Sequence, residues 1–173
     1  MGFYVMAEVR GSLIKLTGSV AYRHLDEKQR AYVNFVEKSG WYPLNKFLDI
    51  INVANQSEPD ALRINTRSNA IAFIPTAARE KITKNPREAL SIIDEIYHQR
   101  HRGEESELGH YWVEFTGEKS ARVLCNVPYC DSFNQGLIEG FVSVLGGAAV
   151  VQSTVVRRGN DNEPQTEILV EWD

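Results

Sequence analysis

The sequence predicts an α+β fold in which N-terminal helices pack on a four-stranded antiparallel sheet. Three observations predict it. Apolar residues recur at helical spacing in the first hundred residues, as at Leu44, Phe47, Leu48 and Ile51. From Tyr111 onward the period drops to two, with Tyr111, Val113 and Phe115 alternating with Trp112, Glu114 and Thr116. The strand-like runs then form two pairs around one helix, a ββ-α-ββ half, and such segregation of helices from strands favours an antiparallel sheet.

The 173 residues, 43% apolar and 24% charged, suit one domain with a real core. The expectation is a single unit over 1–173, helical over 1–104 and ββαββ over 110–173. The first ten residues are ambiguous between strand and coil. Residues 12–25 are weakly helical, with Gly18 against the assignment. Residues 26–38 mix Ala31, Val33, Phe35 and Val36 with charges, and Gly40 closes the run. Pro43 fits the first turn of the next helix, where its missing N–H costs nothing. Residues 60–74 read as a helix stopped by Pro75. Asn85-Pro86 pairs a cap candidate with proline at the first helical position. Leu90, Ile93 and Tyr97 then share a face, and Gly103 is expected to end that helix.

In the second half, Gly117-Glu118 turns the first hairpin, and Ala121, Val123 and Cys125 alternate on its return strand. Asp131 or Ser132 caps a helix carrying Phe133, Leu137, Phe141, Val144 and Leu145, which Gly146-Gly147 terminates. Strands follow over 149–156 and 167–172, joined by a turn-rich loop over 158–165. One sheet face is expected on the helices and the other partly wet.

Charge and hydropathy exclude several functions. The net charge of −4 argues against a nucleic-acid surface, which needs a basic stripe. Arg100, His101 and Arg102 are followed at once by Glu104, Glu105 and Glu107. No apolar run approaches the roughly 20 residues of a membrane span. The first residues lack the basic start of a secretory leader. A cytoplasmic protein is therefore expected. Cys125 and Cys130 cannot make a disulfide framework.

No catalytic constellation stands out. There is no G-x-S-x-G elbow and no phosphate-cradling glycine loop between a strand and a helix. His98 and His101, three apart, could share a helix face and bind a metal with His110. They are read instead as a solvated helix end, where cations suit the dipole, so neither a metal nor a heme ligand is assigned. Cys125-x4-Cys130 lacks two of the four ligands of a zinc site. Cys125 reads as a small buried hydrophobe. Cys130 precedes a helix N-terminus, which would lower a thiol pKa. Gly136 and Gly140 are spaced to let their helix press closely on the sheet.

Together, Val9-Arg10-Gly11-Ser12, Gly40-Trp41-Tyr42-Pro43-Leu44 and Asn85 through Gly103 carry a resemblance. So do Val127-Pro128-Tyr129-Cys130, Gly136-Leu137-Ile138-Glu139-Gly140 and Arg157-Arg158-Gly159-Asn160-Asp161. The chain resembles the superfamily of 4-vinyl-reductase-type domains, heme-NO-binding-like domains and the TRAPP subunits of Golgi transport. It is most similar to bacterial members with a helical half carrying Trp-Tyr-Pro. The resemblance implies a cavity between helices and sheet, used by relatives for small apolar ligands, acyl chains or heme, and frequent dimerisation. Relatives carry cysteines near Val155, Val156 and Thr166. None stands there in this chain, so an inherited metal site is not expected.

On this footing the expected function is a small-molecule-binding sensor, not an enzyme, with no cofactor and no metal. Most aromatic residues fill the core. Phe47, Phe73, Tyr97, His110, Tyr111 and Phe141 are the candidates to line the cavity, with Tyr97, Tyr111 and His110 as its polar groups. Two partner classes are compatible: a small apolar ligand and a second copy of the chain. The alternatives are a dimeric scaffold anchored by Trp41 and Tyr42, and a reductase, for which a reactive Cys130 would be needed.

Overall fold

The computed structural model describes residues 6–79, 84–158 and 165–173. Of the readings above, those on residues 1–5 and on 159–164 of the last loop lie outside the described residues. The α+β architecture is present, with helices against a four-stranded antiparallel sheet, and a second, three-stranded sheet joins it.

That small sheet is absent from the sequence-based expectation. Its central strand is β1 (Glu8–Arg10), flanked by β2 (Trp41–Pro43) and β3 (His101–Arg102), both antiparallel to it. Val9 is fully buried at its centre. Strands of two or three residues cannot display an alternation, so periodicity could not reveal them.

The helical half begins with α1 (Gly11–Ala21) and α2 (Glu27–Phe35). Asp26 caps α2 in a full capping box: its side chain accepts from Gln29 N–H, and the Gln29 side chain accepts from Asp26 N–H. Next comes α3 (Leu44–Ser57), whose buried residues Leu44, Phe47, Ile50, Ile51 and Ala54 follow the expected spacing. Pro43 is its N-cap and closes β2, one position earlier than expected. The run expected as one helix over 60–74 divides into α4 (Pro59–Ser68) and a 3-10 turn over Ala70–Phe73. A short α5 (Thr76–Arg79) follows.

Asn85 caps α6 (Pro86–Ser91) as expected, its side chain accepting from Arg87 and Glu88 N–H. The chain steps at Ile92 into α7 (Ile93–Gln99). This helix ends four residues before Gly103, because residues 101–102 are drawn into β3 beside β1. His101 is therefore on a strand and not on the last turn of a helix.

After α8 (Glu105–Leu108), β4 (His110–Gly117) and β5 (Ser120–Asn126) form the first hairpin. Gly109, at φ +68°, makes the entry to β4, and a Cβ there would lie 1.5 Å from the Asn126 carbonyl oxygen. Then come α9 (Asp131–Gly140), a π turn over Phe141–Leu145, β6 (Val151–Arg157) and β7 (Thr166–Trp172). The order β4-β5-β7-β6 places β5 and β7 in the middle. Tyr111, Ala121, Val123, Cys125, Ile168 and Val170 point into the core, whereas Trp112 is 44% exposed on the other face.

Gly136 and Gly140 do not face the sheet, contrary to expectation. A Cβ on Gly136 would meet the Arg63 carbonyl oxygen at 2.4 Å, and one on Gly140 the Ala70 Cβ at 2.4 Å. The small-residue side of α9 therefore admits the backbone of α4. Glu139, buried on the same helix, ties the pair: it accepts from Arg63 Nε at 3.2 Å and pairs with the Arg63 Nη2, and its Oε1 accepts from Ser153 Oγ at 2.7 Å.

Candidate functional site

The apolar layer between helices and sheet converges on one small cavity. Its walls are Ile93, Ile96 and Tyr97 from α7, His101 from β3, and Phe133 and Leu137 from α9. Phe141 from the π turn, Phe73 from the 3-10 turn, Tyr129 and Arg100 complete them. Side chains nearly fill it, and the space left is about 10 Å³, about enough for one water.

The filling is aromatic. Phe133 meets Phe47 edge-on at 6.1 Å and Phe73 at 5.9 Å, and lies tilted on Tyr129 at 4.6 Å. Tyr97 meets Tyr111 edge-on at 5.4 Å and lies 4.1 Å from His101. Such pairs hold each ring in a defined orientation.

Buried polar atoms in this layer are matched. Tyr97 OH donates to the Leu108 carbonyl at 2.7 Å, and Tyr111 OH to Asn134 Oδ1 at 2.6 Å. Asn134 Nδ2 donates in turn to the Tyr129 carbonyl at 3.1 Å. His101 stands between Tyr97 and Tyr129: Nδ1 is 2.6 Å from the Tyr97 carbonyl, and Nε2 contacts Tyr129 OH. A carbonyl can only accept, so Nδ1 carries the proton and Nε2 accepts from the phenol.

Burial sets the charge state. It pushes His101 down to about 4, against a smaller upward pull from the Tyr97 carbonyl. It also drives Tyr97, Tyr111 and Tyr129 upward. All four groups are therefore neutral near pH 7. Arg100 is the charged residue in the wall, and its guanidinium is committed to backbone, with Nε 2.5 Å from the Phe73 carbonyl and Nη2 3.2 Å from that of Ala72.

Of the residues singled out from sequence, Phe73, Tyr97 and Phe141 line the cavity. Phe47 stands behind Phe133 and Tyr129, and Tyr111 behind Tyr97. His110 is elsewhere. It is half-buried on β4, with its ring beside Asp94 and His98, because the first residue of the strand turns it away from the layer that Tyr111 enters. His101 and Tyr129 were missed as lining residues. A signal existed for His101: the face carrying Ile93 and Tyr97 continues at the same spacing to residue 101.

The other candidate groups are accounted for structurally. Trp41 is not a free anchor, since Arg10 and Arg102 guanidinium groups lie 4.0 and 3.9 Å from its ring centre. Tyr42 packs against the core and its OH accepts from Glu37 N–H at 2.8 Å. Cys130 is the N-cap residue of α9, but burial raises its thiol pKa and outweighs the backbone N–H groups that lower it. Cys125 is buried, with its thiol pushed up to about 12.

No protein-family model and no curated protein matches the chain. Solved structures do. A Cs H-NOX mutant with 4-cyano-L-phenylalanine at site 5 superposes with a TM-score of 0.64 at 11% identity, covering 94% of each chain. The chain has the H-NOX fold. An H-NOX protein from S. oneidensis in the Fe(II)NO ligation state gives 0.64 at 10% identity, over 95% of this chain and 99% of that one. An oxygen-binding H-NOX domain related to soluble guanylate cyclases gives 0.63 at 13%, over 94% and 92%. At these identities the likeness speaks for the H-NOX fold alone. Of the expected resemblance, only the fold of its heme-NO-binding part is matched by these structures, and its 4-vinyl-reductase and TRAPP parts are not supported.

Proposed function

We propose that this chain is a small-molecule-binding sensor module and not an enzyme, with the aromatic layer beside His101 as its ligand seat. The observation that carries the reading is the wall itself: a largely apolar lining interrupted by the neutral imidazole of His101 and the phenols of Tyr97 and Tyr129, all buried, with the Arg100 guanidinium beside them. Pockets for small ligands are mostly apolar with a few fixed polar groups. The H-NOX fold supports the same reading, since one neighbour binds oxygen and another carries an Fe(II)NO group.

Heme does not fit this interior. The remaining space of about 10 Å³ is far below the roughly 300–1,000 Å³ of pockets that enclose sizeable ligands. Both His101 nitrogens are engaged. The Arg100 guanidinium, which could meet an acidic substituent, already donates from Nε and Nη2 to backbone carbonyls. The ligand that suits the seat is small and neutral, because every titratable group except Arg100 in the wall is held uncharged. Because the space left holds about one water, binding anything larger requires that a wall side chain move.

Phenol, a neutral ring with one hydroxyl, is the probe for the test. Its titration is followed by methyl NMR of Ile93, Ile96 and Leu137, and saturable shifts there, weakened in His101→Phe, are expected. Shifts absent from these methyls up to the solubility limit would refute the seat. Hemin titrated in parallel is expected to leave its absorption band unshifted. A 1:1 complex with a shifted band, lost in His101→Ala, would overturn the statement on heme.

A further inference from the structure

We propose that Asp94, His98 and His110 form a binding site for a divalent transition-metal ion of the zinc class, separate from the cavity beside His101. Asp94 and His98 are four residues apart on α7, so they share a face. His110 opens β4, which packs against that helix. The topology thus brings one carboxylate and two imidazoles together from two elements.

The geometry is that of a ligand set. His98 Nε2 lies 3.2 Å from His110 Nδ1, and His110 Nδ1 lies 3.2 Å from Asp94 Oδ2. One atom from each of the three residues falls within 4.8 Å of the others. Zinc bonds of about 2.0–2.2 Å at tetrahedral angles separate neighbouring ligand atoms by about 3.3 Å. Two of the three edges match that separation and the third is no longer than 4.8 Å, so an ion can sit among the three with a small adjustment of the side chains.

The carboxylate is oriented for the task. Asp94 Oδ1 accepts from Tyr111 N–H at 2.8 Å, which leaves Oδ2 turned to His110. A ligand carboxylate whose other oxygen is held by a fixed donor is the usual arrangement around protein-bound metals. The His110 ring is steadied by Trp112, with centroids 5.5 Å apart. Imidazole and carboxylate together suit zinc and its late first-row neighbours more than calcium or magnesium, which prefer all-oxygen sets.

Access is open. The three side chains are about one-third exposed, at 30%, 29% and 35% for His98, His110 and Asp94. A surface groove bordered by Glu105, Glu107, Leu108, His110 and Asn126 runs past the site. Its two glutamates add a negative field that favours cation entry. Three protein ligands leave at least one coordination position to solvent, as open zinc sites do.

Chelator-treated full-length protein titrated with Zn²⁺ by calorimetry tests the site, with Cu²⁺ quenching of Trp112 as a second readout. Saturable 1:1 binding is expected. His98→Ala, His110→Ala and Asp94→Asn are each expected to weaken it at least about tenfold, the lower end of what loss of even an outlying partner costs. His24→Ala, remote in the fold, is expected to leave it unchanged. Absence of 1:1 binding would overturn the proposal, as would wild-type affinity in the His98→Ala/His110→Ala double variant. Circular dichroism checks folding. Should His110→Ala fail to fold, His98→Gln and Asp94→Asn decide, since Asn keeps an acceptor for Tyr111 N–H.

Discussion

His101 is neutral because its surroundings exclude water, and that neutrality carries a stability consequence. Unfolded, a histidine titrates near 6.5. Folded, this one titrates at about 4. Between those values the unfolded chain takes up a proton that the folded chain refuses. The stability it contributes is complete above about pH 6.5 and lost as pH falls towards 4, about 3 kcal/mol in all by linkage. Urea unfolding at pH 7 and pH 4 is expected to show a larger acid loss in the native chain than in His101→Leu. Equal losses would contradict the burial argument. The cysteines give a second residue-scale expectation: with both thiol pKa values raised, Ellman's reagent at pH 8 should react slowly with the native protein and fast after unfolding. The sequence argument for a lowered Cys130 pKa weighed the helix end and could not weigh burial. His101 was obscured for a related reason. Its neighbours Arg100 and Arg102 mark the stretch as solvated, yet the strand direction turns His101 inward and Arg102 outward onto Trp41.

At the scale of elements, the packing of α4 on α9 is where a single methyl group should do most harm. An added Cβ at Gly140 would meet Ala70 Cβ at 2.4 Å and the Arg67 carbonyl at 2.8 Å. Backbone cannot yield as a side chain can, so Gly140→Ala is expected to cost about 1–3 kcal/mol despite alanine's better helix propensity. Thermal unfolding measures it, and a stabilised variant would disprove the close approach. Glu139→Leu is expected to cost about 2 kcal/mol. That is less than the loss for a fully buried pair, because the Arg63 side chain, 36% exposed, can turn to water. Local signals read well here: Asn85 caps the helix it was expected to cap, and removing it as Asn85→Ala should cost about 1 kcal/mol. The hairpin 110–126 and the final strands were equally legible, since seven or eight alternating residues suffice to show a period. What a sequence pattern could not tell was which neighbour a helix face meets. The glycines of α9 announced a close approach but not that α4 would make it.

For the whole molecule, the strand order β4-β5-β7-β6 predicts a gradient of protection. Amides of β5 and β7, paired on both sides, should exchange with deuterium more slowly than those of the edge strands β4 and β6. Equal exchange across the sheet would contradict this order. The α+β class was readable because its two halves have different periods. The pairing of β1 with β2 and β3 was not, since it joins short segments far apart along the chain.

That pairing bears on how the protein is made. Val9 lies opposite Tyr42 and opposite His101, so its second neighbour leaves the ribosome roughly ninety residues after it. At about 5–20 residues per second this is a wait on the order of 5–20 s. During that interval β1 lacks one of its two partner strands, and the small sheet around Val9 is complete only once the histidine strand has emerged.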